Sequence, residues 1–239
     1  MTKILKEILN WSEVWATLIP LAIFLWYKPK AKWVKPLIVY LLLALLLNLI
    51  ADFTWKSNRF GLKEWSKKFF WWLYHDTGQG KRLYTVILYN INSFIRLLLI
   101  TWFFYKVNPG FRKIYIILTA LFVAGVGINF VFFENILLSF SSRLFTVEAA
   151  IILFYCLLYH YTTNMNDKII SPIALPETWV VMALTLYTSI NFLIFLFFNY
   201  LIMEQEKYAI SVWNVHNLSY IVLMIIMGAS LKKTGKMKP

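Results

Sequence analysis

The sequence predicts an all-α, polytopic integral membrane protein: a bundle of seven transmembrane helices with a short interfacial helix between spans two and three. Of the 239 residues, 60% are hydrophobic and only 15% are charged, whereas soluble domains are about 25% charged. Seven apolar stretches are separated by connections that are mostly short. Because lipid cannot satisfy exposed backbone groups, apolar runs of about 20 residues are expected to be helices. A single transmembrane domain therefore covers residues 1–239.

The spans follow one another along the whole chain. The first runs from Ser12 to Tyr27 and contains Pro20. A short amphipathic lead precedes it and can extend the same helix. No small-residue cleavage site follows, so a cleaved signal peptide is not expected. The other spans are predicted at residues 36–55, 83–105, 114–133, 144–161, 179–202 and 208–231.

Two further features concern single elements. The run from Glu64 to Tyr74, between spans two and three, is rich in lysine and aromatic residues, which is typical of a helix in the headgroup layer. On span four, Gly125 and Gly127 are expected to mark a close contact with a neighbouring helix.

The orientation depends on the lysine and arginine residues beside the spans. The face that holds the C-terminus carries twelve and the other face eleven, of which seven lie in the loop from Lys56 to Arg82. If that interfacial segment is discounted, the C-terminal face is the more basic. We therefore expect the N-terminus outside and the C-terminus in the cytoplasm of a cell (inner) membrane.

The net charge of +13 predicts partners of two kinds. Basic loops attract anionic lipid headgroups, and the basic C-terminal tail is a possible contact for a cytoplasmic protein. The tail lysines are Lys232, Lys233, Lys236 and Lys238. Nucleic acid is not expected as a partner, because no soluble segment is long enough to form a folded basic surface.

Polar and ionisable residues of the spans gather toward the N-terminal face, although the chain reverses direction at every crossing. Each ionisable group costs about 2.5–3.5 kcal/mol at the centre of a membrane helix, so the clustering needs a cause. Several follow helical spacing and form stripes expected to point inward. The candidate ligand-binding residues are Asn48, Asp52, Tyr89, Asn92, Arg96, Glu148, Asn191, Trp213, His216, Asn217 and Tyr220.

Arg96 is the most informative of these residues. An unpaired arginine at mid-depth is too costly against lipid, so it is expected to pair with Asp52 or Glu148. For the asparagines, simple hydrogen bonding between helices is the more frequent role. His216 is expected to be a hydrogen-bonded packing histidine more often than a metal ligand.

No catalytic motif is present, and an enzyme is not expected. The three histidines lack the spacing of an intramembrane zinc site, and neither His-Glu-x-x-His, Gly-x-Ser-x-Gly nor a phosphate-binding glycine loop occurs. No cofactor and no metal are therefore predicted.

Three functions remain open. The first is a receptor-like or sensory protein that binds a small polar ligand in a half-cavity on the N-terminal side. The second is a small transporter with a parallel repeat of three spans, a linker span and three spans, which uses the intramembrane ion pair. Residues 89–94 and 213–218 share a pattern of aromatic, Asn, aliphatic, polar, polar and hydrophobic residues, as such a repeat would require. The third is a structural or assembly partner in a membrane complex.

Segments that overlap these two also resemble a known group of proteins. Residues 88–92, read with 103–105, and residues 213–217, leading to a lysine-capped last helix, resemble small seven-span proteins of bacterial inner membranes whose function is uncharacterised. The resemblance implies seven helices and a bacterial inner membrane, and no activity. The family would have an acidic residue in span three where this sequence has Arg96.

Overall fold

A computed structural model describes residues 3–57, 61–76, 81–83, 85–137, 140–166 and 171–237. Within them the regular secondary structure is helical apart from one short antiparallel pair, β1 (Tyr74–Asp76) and β2 (Lys81–Leu83), in which Tyr74 lies opposite Leu83. The helices are α1 (Lys3–Asn10), α2 (Ser12–Tyr27), α3 (Val34–Lys56), α4 (Lys63–Phe69), α5 (Val86–Val107), α6 (Arg112–Ile128), α7 (Ser142–Asn164), α8 (Pro176–Glu204) and α9 (Glu206–Lys236).

Six helical segments of the described chain are long and apolar enough to cross a membrane, so the fold is that of a polytopic helical membrane protein. They are Val34–Thr54, Val86–Val107, Pro109–Phe133, Ser142–Asn164, Pro176–Phe198 and Tyr208–Lys236. Helix α2 is also apolar but has only 16 residues. The structure thus supports six of the seven predicted spans by length and composition.

Most predicted boundaries lie within a few residues of the helix ends. Helix α5 begins at Val86 rather than at residue 83, because residues 81–83 pair as a strand. Helices α8 and α9 extend toward each other until only Gln205 separates them.

The predicted interfacial segment is only partly helical. Helix α4 ends at Phe69, and a single 3₁₀ turn from Trp71 to Leu73 then leads into β1. The side chains of Trp65, Phe69 and Trp71 are exposed.

Six helices form a closed ring. Going round it, α2 packs against α3, α3 against α5, α5 against α7, α7 against α8, α8 against α9, and α9 against α2. Helix α6 lies outside the ring against α5 and α7. Very few of its residues are buried.

The prediction that Gly125 and Gly127 mark a close helix contact on span four is wrong. A methyl group added at Gly125 or Gly127 would meet no atom of the described structure within 4 Å, because both residues lie on the outward part of α6. The close approach is instead between α9 and α2. A methyl group on Gly228 would lie 2.8 Å from Ile23 Cδ1, and one on Gly235 would lie 2.6 Å from Tyr27 Cβ.

Candidate functional site

A cavity of about 600 Å³ opens at the end of the bundle where α3 and α8 end and α5 and α9 begin. This is the end at which the sequence predicts polar residues to gather. Its described lining residues are Asn10, Glu13, Asp52, Lys56, Thr85, Val86, Tyr89, Phe140, Phe198, Ile202, Trp213 and Asn217. Four of the eleven candidate residues, Asp52, Tyr89, Trp213 and Asn217, therefore face a common space.

Lys56 and Asp52 form one wall of this cavity. Lys56 Nζ lies 3.2 Å from Asp52 Oδ2 and donates a hydrogen bond of 3.0 Å to the carbonyl oxygen of Asn10. The same ammonium group lies 3.9 Å from the centroid of the Trp11 ring. Asp52 is thus neutralised by Lys56, which lies one turn further along the same helix. Asp52, one of the two acids expected to pair with Arg96, is therefore not its partner.

Glu13 is the second carboxylate of the cavity, and its side chain is 20% exposed. Its Oε1 lies 3.1 Å from Nε2 of His216, which is buried in α9. Sequence reasoning missed Glu13, because the polar residues of the first predicted span were not included among the candidates. The signal was present: Glu13 is an isolated acid in the first turn of an apolar helix.

The other ring nitrogen of His216 faces Asn191 on α8. Asn191 Nδ2 donates to the carbonyl oxygen of Tyr187 at 2.7 Å and to Ser219 Oγ at 3.2 Å, which leaves its Oδ1 to accept from His216 Nδ1. Because Nδ1 is then the donor, the contact between Nε2 and the Glu13 carboxylate requires one further proton.

Deeper in the bundle, Arg96 of α5 pairs with Glu148 of α7. Arg96 Nε lies 2.5 Å from Glu148 Oε1 and Nη2 lies 2.6 Å from Oε2, a two-pronged geometry. Ser93 also donates to Glu148 Oε2. The side chains of Arg96 and Glu148 are 11% and 1% exposed.

Tyr187 lies between the His216–Asn191 contact and the Arg96–Glu148 ion pair. Its hydroxyl oxygen accepts a hydrogen bond of 3.3 Å from Arg96 Nη1, while its backbone carbonyl accepts the bond from Asn191. Tyr187 therefore contacts both the Glu13–His216–Asn191 group and the ion pair of Arg96 and Glu148, through opposite ends of the residue.

The remaining candidate residues lie apart from the cavity. Tyr220 is buried, and its hydroxyl lies 2.7 Å from Thr17 Oγ1 of α2. Asn48 is buried on α3. Asn92 is half-buried, and its Oδ1 has no hydrogen-bond partner among the described residues.

Beyond the ion pair the bundle is closed by apolar and aromatic side chains. Buried residues of this layer include Leu97, Ile100, Phe103, Phe104, Tyr155 and Met227. The cavity is therefore open at one end of the bundle and closed toward the other.

The basic C-terminal segment belongs to the bundle rather than projecting from it. Helix α9 continues to Lys236, and Lys233 Nζ donates to the carbonyl oxygen of Ile173 at 3.1 Å. Lys238 lies outside the described residues. Within the described part of the chain, no group of three histidine, cysteine or acidic side chains is placed to hold a metal ion.

Comparison with known proteins yields no relative. No protein-family model matches the chain, and neither a curated protein nor a solved structure is detectably similar to it.

Proposed function

We propose that this chain is a receptor-like membrane protein that binds a small polar ligand carrying an ammonium group in the 600 Å³ cavity. The observation that carries the proposal is the lining of that cavity. Among its described lining residues, two carry a carboxylate and one carries an ammonium group, and the rings of Tyr89, Phe140, Phe198 and Trp213 line its walls.

The chemistry favours a cation beside an apolar body. Lys56 already neutralises Asp52, so Glu13 is the carboxylate that a ligand would meet. Aromatic faces attract ammonium groups by about 0.5–2 kcal/mol, more when water is excluded. Lys56 itself illustrates this recognition, since its ammonium contacts a carboxylate, a carbonyl oxygen and the Trp11 ring.

Three probes that differ mainly in charge test the proposal: 2-phenylethylammonium, 2-phenylethanol and phenylacetate. Binding to the purified protein in lipid nanodiscs would be measured by calorimetry. We expect the ammonium probe to bind most tightly and Glu13→Gln to weaken it at least about tenfold. Glu177→Gln is the matched control, because Glu177 lines a pocket at the other end of the bundle.

Preference for phenylacetate would contradict the ammonium class while keeping the binding function. If none of the three probes binds, the cavity proposal fails, and the assembly role expected from the sequence becomes the leading candidate.

We further propose seven spans, with the N-terminus and the cavity outside and the C-terminus in the cytoplasm of a cell membrane. Sixteen residues of α2 span about 24 Å, somewhat less than the hydrocarbon core, but α1 precedes α2 with only Trp11 between them. Helix α2 also packs between α3 and α9, which both contain candidate spans. In this arrangement α4 and its exposed aromatic residues lie in the outer headgroup layer.

Signalling would need a cytoplasmic protein, since the described chain has no soluble domain at that end. The end of α9 is the surface we propose for such a partner. Lys232 and Lys236 are exposed there, whereas Lys233 is engaged with Ile173.

Transport is the second candidate, and the helix arrangement favours it over an assembly role. Helices α2, α3 and α5 form one half of the ring, α7, α8 and α9 the other, and α6 connects them from outside. A repeat of three spans, a linker and three spans would have this arrangement. Against transport, the layer beyond the ion pair is packed and apolar.

Uptake of the ammonium probe into proteoliposomes would separate the two functions. Flux in the wild type that is lost in Arg96→Ala, with probe binding retained, would establish transport and overturn the receptor proposal. Binding without flux supports the receptor.

A further inference from the structure

At the opposite end from the cavity, a groove of about 480 Å³ lies between the α2–α3 connection, the start of α3 and the end of α5. Four exposed lysines surround it: Lys30, Lys32, Lys35 and Lys106. No carboxylate is among its described lining residues. The groove therefore concentrates positive charge without an acid of this chain to neutralise it.

Apolar side chains line the groove between these lysines. They are Phe24, Pro29, Ala31, Val34, Ile38, Val39 and Trp102. Lys35 Nζ lies 6.0 Å from the centroid of the Trp102 ring, so one of the charges lies beside the aromatic wall.

An apolar strip continues from the groove along α3. Lys35, Val39, Leu42 and Leu46 follow one another at helical spacing and share a face of this helix. Leu42 and Leu46 are each 53% exposed, and they lie within a candidate membrane span. A ligand that fits both parts must have an anionic head and a long apolar chain.

We propose that this groove is a binding site for one anionic phospholipid. Its phosphate and anionic headgroup contact Lys30, Lys32, Lys35 and Lys106, and an acyl chain lies along Val39, Leu42 and Leu46. Basic pockets between transmembrane helices bind anionic headgroups in this way. The site is independent of the cavity and of its ligand.

The apolar strip favours a phospholipid over a soluble anion. Free phosphate or a headgroup without chains would leave Leu42 and Leu46 uncovered and gain only the contact with the lysines. A site of this kind also differs from a general attraction of the basic face, because it depends on where the lysines lie and not only on how many there are.

Native mass spectrometry of the full-length protein tests this distinction with dioleoylphosphatidylglycerol as the anionic probe and dioleoylphosphatidylcholine as the neutral one. The variant Lys30→Gln/Lys35→Gln/Lys106→Gln removes one lysine from each of the three elements. The control Lys113→Gln/Lys232→Gln/Lys236→Gln removes the same charge from exposed positions at the same end but outside the groove.

We expect the wild type to retain phosphatidylglycerol in preference to phosphatidylcholine. The groove variant should bind it at least about tenfold more weakly, and the control should remain within about twofold of the wild type. Dihexanoylphosphatidylglycerol and inorganic phosphate should compete poorly because they lack long chains.

Equal losses in the groove variant and the control would overturn the proposal in favour of general surface attraction. Equal competition by inorganic phosphate would overturn it in favour of a simple anion site. If the triple variant does not fold, Lys35→Gln compared with Lys232→Gln decides in the same way, since only the first should lower retention of the lipid.

Discussion

His216 lies between two acceptors, and its neighbours determine where its protons lie. Asn191 Oδ1 accepts from Nδ1 because the Asn191 amide nitrogen is already committed to Tyr187 and Ser219. Nε2 lies 3.1 Å from Oε1 of Glu13, the carboxylate that faces the cavity. A bound ammonium group would compete with the His216 ring for Glu13.

His216→Gln should therefore strengthen binding of the 2-phenylethylammonium probe, because the ring would no longer compete for Glu13. Asp52 and Lys56 also line the described cavity with Glu13, and both are unchanged in this variant. Calorimetry of the wild type and the variant measures the difference in affinity. Unchanged or weaker binding by the variant would contradict the assignment.

The Arg96–Glu148 pair should be the most sensitive polar contact of the bundle. Glu148→Gln leaves the Arg96 charge buried without its partner, and removing one member of a buried pair costs about 3–5 kcal/mol of unfolding free energy. Replacing both residues by methionine should restore much of this stability. Denaturation in detergent measures each variant.

Arg143→Gln is the control for that series. Arg143 is 66% exposed and lies 3.9 Å from Glu134, so its loss should change the stability by no more than about 0.5 kcal/mol. If Glu148→Gln were as stable as this control, the buried pair would not stabilise the bundle.

Among the helices, the contact between α2 and α9 is set by glycine. Gly228 and Gly235 are seven residues apart on α9, and both lie directly against α2, at Ile23 and Tyr27. Close approach of this kind lets two membrane helices pack backbone to backbone. On α6, by contrast, the glycines face away from the ring.

Alanine substitutions at the four glycines should distinguish the tightly packed glycines of α9 from the exposed glycines of α6. Gly235→Ala should destabilise the protein by about 1–3 kcal/mol, because the added methyl group overlaps the Cβ and backbone of Tyr27. Gly228→Ala should cost less, because the end of the Ile23 side chain can shift. Gly125→Ala and Gly127→Ala should be neutral or stabilise by up to about 1 kcal/mol, since alanine is the better helix former. Thermal unfolding in detergent measures all four, and a similar loss in both pairs would contradict the packing described.

The whole molecule combines a polar end with an apolar end inside one ring of helices. The cavity and its polar contacts occupy one half, and the packed apolar layer occupies the other. This division would allow a ligand to bind from one side without a path through the bundle, which is why we propose binding first and transport second.

Cysteine labelling of whole cells should decide between seven and six spans. In the proposed topology, cysteines at Ile8 and Gln205 react with an impermeant maleimide from outside, and one at Lys28 reacts only after the membrane is opened. All three positions are exposed, whereas the native Cys156 is fully buried and should not react. If Ile8 and Lys28 react from the same side, α2 does not cross the membrane.

The sequence by itself determined the membrane class and the end at which polar residues gather, because apolar length and helical spacing are local properties. It predicted seven spans, and six of them are long and apolar enough in the described structure. It also narrowed the partner of Arg96 to two acids. Only the tertiary structure selected Glu148 over Asp52, since Lys56 lies one turn from Asp52 and occupies it. The structure likewise brought Glu13 to His216, residues 203 positions apart in the chain, and placed the tight glycines on α9. Such choices depend on which helix faces come together, and helical periodicity specifies the face of each helix but not its neighbour.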